Sequence, residues 1–342
     1  MKAIVIHAAK DLRIERREAE TLGAGQVRVA LEIGGICGSD LHYYRHGGFG
    51  PVRLKEPMIL GHEVSGRILE CSGDVGALRV GERVAISPSR PCRACRYCLE
   101  GMPNQCLNMR FYGSAMPFPH IQGAFRQELV ADASQCASSG DLSAEEAAMA
   151  EPLSVCLHAT RRAGGMVGKS VLVTGCGPIG ALCVLAARRA GADRIVATDL
   201  GPFPLSIAKQ VGADETLDMS ADPKALERFG AHKGAFDLLY ECSGAAPALA
   251  AAIPAMRPGA TIMQLGLGGD MSLPMQAITA KELTIKGSFR FHDEFFTAVS
   301  LMRKGLIDVR PLITHKFGLD DAVEAFETAG DRSRAMKAQI AF

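Results

Sequence analysis

The chain has no uninterrupted apolar run of about 18 residues, the length a membrane-crossing helix needs, and this excludes a transmembrane span. It has no excess of one charge either: 38 basic against 37 acidic residues leave a formal +1, with the signs interspersed. A nucleic-acid surface or a membrane-binding face needs a one-signed patch, so neither partner is expected. The stretch at Met1–Lys10 is too short in apolar residues for a signal sequence and reads as a first strand. No internal repeat and no low-complexity segment occurs. The 11 cysteines are an odd number with four in one loop, unlike the paired framework of a small secreted protein. They point to a reducing compartment and metal chemistry, and the expectation is a soluble, cytoplasmic protein acting on a small molecule.

What is there is ordinary globular material, 48% hydrophobic and 22% charged, in 342 residues. That length exceeds what one core usually supports, so two domains are expected. Val27, Val29, Leu31 and Ile33 alternate with Arg28, Ala30 and Glu32 as in a half-buried strand. Short runs at 64–70, 83–87 and 124–130 continue the pattern between Gly/Pro-rich loops, which suggests a partly open barrel over residues 1–145. From residue 146 strands and helices alternate to about 287, the pattern of a doubly wound parallel sheet. Residues 288–342, with helices near 294–304 and 320–329 and a strand at 338–341, are expected to return to the first domain.

Three motifs carry chemistry. Cys37-Gly-Ser-Asp-Leu-His and Leu60-Gly-His-Glu63 bring together a thiol, an imidazole and a carboxylate. These are the ligand types of Zn2+, and a catalytic zinc keeps three protein ligands and one open position. Asp40 is placed to fix the tautomer of His62. Glu151 is a further candidate, an acid in an apolar run beside Pro152, where a proline kink would aim it into a cleft. The second motif is Cys92, Cys95, Cys98 and Cys106, four thiolates close enough to shut a tetrahedron around a structural Zn2+. Arg90, Arg93 and Arg96 stand nearby, so a zinc knuckle for nucleic acid is the competing reading. It leaves the neutral charge and the third motif unexplained.

That third motif is Gly175-Cys-Gly177-Pro178-Ile179-Gly180 between a short β-branched strand and an Ala/Leu-rich helix, the dinucleotide fingerprint. Asp199 ends the next strand, 19 residues after Gly180, where an acid favours NAD over NADP. No arginine occurs in Leu200–Leu205 to welcome a 2′-phosphate. Gly244 and Gly266 fall at later strand ends, where such sheets bind ligands.

With Glu151-Pro-Leu-Ser-Val and Lys286-Gly-Ser-Phe-Arg-Phe-His-Asp293 added, the chain over essentially its full length resembles the zinc-dependent medium-chain alcohol dehydrogenases, in the sorbitol, L-idonate and threonine branch. The resemblance implies a GroES-like barrel domain, a Rossmann domain and two zincs per chain. It implies Cys37 and His62 as catalytic ligands, with Glu151 third and Glu63 able to exchange with it. Ser39 and His42 match the proton relay, and Tyr43 and Arg290 the polyol pocket; Arg110 is a second candidate for holding a carboxylate. The implied reaction is NAD-dependent oxidation of a secondary alcohol, L-idonate to 5-keto-D-gluconate, with sorbitol, xylitol and L-threonine as alternatives. A homodimer or homotetramer is implied, joined through residues 261–286. Animal sorbitol enzymes lack the full four-cysteine lobe, so its presence here favours the bacterial idonate and threonine types.

Overall fold

The computed structural model describes all 342 residues. At the start, β1 (Lys2–Ala8) and β2 (Asp11–Arg16) form an antiparallel hairpin. The main antiparallel sheet is built on β3 (Gln26–Gly35), β4 (Glu63–Ser72), β5 (Arg83–Ile86), β6 (Glu128–Asp132) and β7 (Cys136–Ser138). The alternation in β3 is the expected one: Val27, Val29, Leu31 and Ile33 are buried, and Arg28, Ala30 and Glu32 between them are not. Of the expected run 124–130, only its end lies in β6. A short helix, α1 (Gly38–His46), leaves β3 immediately after Cys37.

Two helices carry the chain across to the second sheet. Ser143 opens α2 (Ala144–Ala148) with a capping box: its Oγ accepts from the Glu146 N–H at 3.1 Å while Glu146 accepts from the Ser143 N–H at 3.0 Å. The break before α3 (Ala150–Ala163) falls at Met149, so the expected kink at Pro152 is absent. Pro152 is the third residue of α3. The first four N–H groups of a helix have no partner, so proline costs nothing there.

Six strands then form the parallel sheet: β8 (Ser170–Thr174), β9 (Arg194–Asp199), β10 (Glu215–Asp218), β11 (Phe236–Glu241), β12 (Met256–Gln264) and β13 (Thr284–Gly287). Their order is β10-β9-β8-β11-β12-β13, which reverses direction between β8 and β11. Helices cover both faces, among them α4 (Pro178–Arg189), α5 (Pro202–Gln210) and α6 (Ala246–Ala252). The central strand is therefore buried on both sides, and Val171, Leu172 and Val173 are all fully enclosed.

The returning segment begins with a helix that packs against both halves of the molecule, Ala85 and Ala137 of the first half included. Phe295, Ala298, Val299 and Met302 of α7 (Glu294–Arg303) share a core with Leu153 of α3 and Val171 of β8. Only from β14 (Ile313–Gly318) does the chain enter the first sheet. After α8 (Ala322–Ala329), β15 (Lys337–Ala341) pairs antiparallel with the last residues of β3, giving the order β7-β5-β4-β3-β15-β14. No helix is long and apolar enough to cross a membrane.

Candidate active site

Cys37 sits where β3 gives way to α1 and acts as that helix's N-cap. His62 and Glu63 lie at the start of β4, hydrogen-bonded neighbour of β3, with Gly35 paired opposite Glu63. Two adjacent strands thus deliver three side chains to one point. The Cys37, His62 and Glu63 ligand atoms lie within 4.8 Å of one another. Burial, and then the Glu63 charge, pushes the Cys37 thiol up to about 12. A bound divalent cation would reverse that cost, since a coordinating thiol is deprotonated outright. His62 Nδ1 is buried without a hydrogen-bond partner.

Asp40 does not hold His62 as expected. Its Oδ1 is 3.8 Å from His62 Nδ1, beyond hydrogen-bond reach. The carboxylate accepts instead from two backbone groups, the Cys37 N–H at 3.0 Å and the Gly61 N–H at 3.1 Å. It fastens the two ligand-bearing turns to each other, because Cys37 follows the end of β3 and Gly61 precedes His62 at the entry to β4.

Glu63 has an occupant that no local pattern announced. Lys337 of β15 donates to Glu63 Oε1 and Oε2 at 2.8 Å each and to the Ile36 carbonyl at 3.1 Å, with both side chains almost fully enclosed. Three donors meet three acceptors, which is how a buried ion pair is tolerated. Glu151, in the first turn of α3, stands outside the trio but near it. Its carboxyl is buried and makes no hydrogen bond. Burial first, and then the charges of Glu63 and Cys37, raise it to about 8.

Ser39 and His42 are three residues apart on α1 and so share a face. Both line a cleft of about 260 Å3 with Cys37, Glu63, Gly177 and Lys337. Burial and then the charges of His46, Arg332 and Arg45 hold His42 below its ordinary value. Arg290 packs over the Phe111 ring at 4.2 Å, and Phe111 is 5.5 Å from the His62 ring. Burial draws the Arg290 guanidinium down to about 10. Tyr43 is buried, and its hydroxyl accepts from the Ala115 N–H at 3.0 Å. Arg110 is adjacent to Phe111 on a short strand, so it points the opposite way and is exposed.

The glycine turn forms the other wall of the cleft. Gly175 has φ +82°, and a Cβ on Gly180 would stand 1.8 Å from the Gly175 carbonyl oxygen, so the turn can close only with glycine at both places. Asp199 accepts from the Cys176 N–H at 2.6 Å and the Leu200 N–H at 2.7 Å, bracing this turn. It also lines a second, more apolar cavity of about 390 Å3 with Leu200, Met219 and Pro223. Glu241, unnoticed in the sequence, is fully buried at the end of β11. It accepts from the Gly244 N–H at 3.1 Å, from Gln264 Nε2 at 2.6 Å and from the Ser243 hydroxyl. That bracing sets the loops at Gly244 and Gly266 side by side.

The four cysteines of the surface lobe are all free thiols. Their sulfurs are separated by 3.4 Å (Cys92–Cys106), 3.6 Å (Cys95–Cys98) and 3.9 Å (Cys95–Cys106). Tetrahedral Zn–S bonds of about 2.3 Å require sulfur–sulfur edges of about 3.8 Å, so the set fits zinc. Backbone N–H groups already point at the sulfurs, from Cys92 to Cys106 at 3.2 Å and from Cys95 to Cys92 at 3.3 Å. Such bonds, with that of Ala94 the largest, lower the Cys92 thiol to about 6.

Comparison with known proteins agrees with this geometry. Residues 23–141 match the family model described as alcohol dehydrogenase GroES-like domain, and residues 178–304 that described as zinc-binding dehydrogenase. The chain is 42% identical over 316 residues to L-idonate 5-dehydrogenase (NAD(P)(+)) of Escherichia coli strain K12, covering 92% of this chain and 91% of that one. It is 38% identical over 334 residues to sorbitol dehydrogenase of Bos taurus, covering 96% and 92%. The crystal structure of the Escherichia coli L-idonate 5-dehydrogenase superposes with a TM-score of 0.95 at 39% identity, covering 100% of this chain and 98% of that one.

Proposed function

The chain belongs to the zinc-binding dehydrogenase family with a GroES-like domain, and from that membership we propose that it oxidises L-idonate at a secondary alcohol, with NAD as hydride acceptor. One observation carries the reading: a single cleft is walled by Cys37, Ser39, His42 and Glu63 on one side and by the Gly175–Gly180 turn on the other. A substrate held at the trio and a dinucleotide held at the turn would therefore meet.

Cys37, His62 and Glu151 would hold the catalytic Zn2+, and Cys92, Cys95, Cys98 and Cys106 the structural one. Glu63 is engaged by Lys337, while the Glu151 carboxyl has no other partner, and this favours Glu151 as third ligand. Zinc held by Cys37, His62 and Glu151 would supply a Lewis acid that lowers the pKa of a substrate hydroxyl. The chain's own residues do the rest. Ser39 would take the proton from the substrate hydroxyl and hand it to His42. The His42 imidazole, neutral near pH 7, accepts it and passes it to solvent. Arg290 would meet the substrate carboxylate, with Tyr43 beside it. Leu265 and Leu267 give the cleft apolar wall that limits water at the reacting carbon. Gly177, Pro178 and Ile179 at the start of α4 would receive the pyrophosphate, with Gly244 and Gly266 beside the nicotinamide half and Asp199 on the ribose.

Residues 1–145 with 288–342 form one domain in this reading, and residues 146–287, with the parallel sheet, the other. The free edge at β13, with Ile285 and Met275 exposed, suits a homodimer or homotetramer. The reducing cytoplasm suits the free thiols.

Initial rates of NADH formation with L-idonate, sorbitol, xylitol and L-threonine, each with NAD and NADP, test the proposal. L-idonate with NAD is expected to give the highest kcat/KM. Preference for a neutral polyol would remove the carboxylate role of Arg290, and silence on all four would refute the substrate assignment.

A further inference from the structure

Three charged residues follow Gly330, and two are engaged with each other: Asp331 accepts from Ser333 and from Arg334 Nε at 3.0 Å. Arg332, between them, has no hydrogen-bond or ion-pair partner. It lies in the segment joining α8 to β15, on the barrel side of the molecule, yet it reaches the parallel-sheet side. It lines both the 390 Å3 cavity beside Asp199 and the 260 Å3 cleft at Cys37. The two spaces share only Gly175, Ser243 and Arg332.

A molecule occupying both must pass through that junction. The apolar cavity ending at Asp199 suits an adenosine, and the cleft facing the trio suits the reacting ring, so the link between them crosses under Arg332. In a dinucleotide that link is a pyrophosphate. The N-terminus of the twelve-residue α4 points its free N–H groups at the same place. A Cβ added to Gly177 or Gly38 would meet nothing within 4 Å, so the space between the walls is open there. Anion donors thus stand on the sheet side, and Arg332, exposed and the only arginine that lines either space, stands on the barrel side.

We propose that Arg332 is a positioning residue for the cofactor's pyrophosphate, clamping it from the barrel half against the start of α4; this rests on the dinucleotide reading above. A residue reading the 2′-phosphate of NADP would line the Asp199 cavity alone, whereas Arg332 also reaches the cleft and lies near enough to His42 to influence its charge.

The test is titration calorimetry of the zinc-loaded protein with NADH, NADPH, ADP and adenosine, for wild type, Arg332→Ala and Arg332→Lys, alongside melting temperature. Arg332→Ala is expected to weaken NADH and ADP alike, by about tenfold to a hundredfold, as loss of a charge-assisted contact does. Adenosine binding and melting temperature should stay as in wild type, and Arg332→Lys should recover part of the loss. Equal NADH affinity in wild type and Arg332→Ala would overturn the assignment, and so would weakening confined to NADPH or extending to adenosine. A wild-type protein that binds no NADH would sink the dinucleotide reading itself, an outcome distinct from the others.

Discussion

Replacing Lys337 by methionine keeps the volume of the side chain and deletes its charge. Lys337 and Glu63 are 2% and 1% exposed, so no water can take over the three contacts that the ammonium makes. Glu63 would be left as a buried carboxylate beside Cys37 and Glu151, both acids. Breaking one side of such a pair costs about 3–5 kcal/mol, whereas removing both partners together is often near neutral. At roughly 2 °C per kcal/mol for a chain of this size, Lys337→Met should lower the melting temperature by about 6–10 °C. Lys337→Met with Glu63→Gln should regain most of that. The loss should be greater after zinc is chelated than in the zinc-loaded protein, because a cation at the trio partly replaces the missing ammonium. Scanning calorimetry of wild type, both single variants and the double variant, with and without zinc, checks each point. A single variant that melts within 1 °C of wild type, or a double variant no more stable than Lys337→Met, would refute the reasoning.

Glu294 is held down to about 2: burial would raise it, but the hydrogen bonds from His158 and from the His292 N–H outweigh that. A depressed carboxyl contributes stability above its unfolded value of 4.5 and loses it as pH falls toward 2. Glu294→Gln should thus cost about 1–2 kcal/mol at pH 7 once screening is allowed for, and the gap to wild type should close below about pH 4.5 in urea melts at several pH values. Cys106→Ser should reduce bound zinc from two per chain to one, read by metal analysis, and loosen the lobe to protease. Asp199→Ala should lower kcat/KM with NAD by about tenfold or more and shift the NADP/NAD ratio upward, because it removes both a ribose acceptor and the brace on Cys176 and Leu200. An unchanged ratio would remove Asp199 from cofactor selection.

What the sequence made legible was local. The period-two run in β3 and the spacing of Gly175, Gly177 and Gly180 can be read from a few adjacent residues, and so can the Cys92–Cys106 loop. Lys337 was not legible, although a lysine between Met336 and Ala338 in a closing apolar strand hinted at a buried partner. Its partner lies 274 residues earlier, and no local pattern names it. Arg332 is hidden for the same reason: it stands far from Asp199 along the chain and meets it only as lining of the same cavity. Spacing places Asp40 beside His62, but the turn geometry gives its oxygens to backbone N–H groups. Pro152 suggests a kink only if the helix runs through it, and the break at Met149, which no residue pattern marks, puts it in the first turn instead.

The pairing of β15 with β3 also sets a schedule for synthesis. At about 5–20 residues per second, the 274 residues between Glu63 and Lys337 take about 14–55 s to emerge from a ribosome. Throughout that interval the end of β3 has an open edge and Glu63 lacks its counter-charge. The parallel sheet lies wholly between the two and can close without them. The segment encoded in the middle is therefore free to finish folding before the one encoded first, and a nascent chain acquires its completed trio only as the final strand arrives.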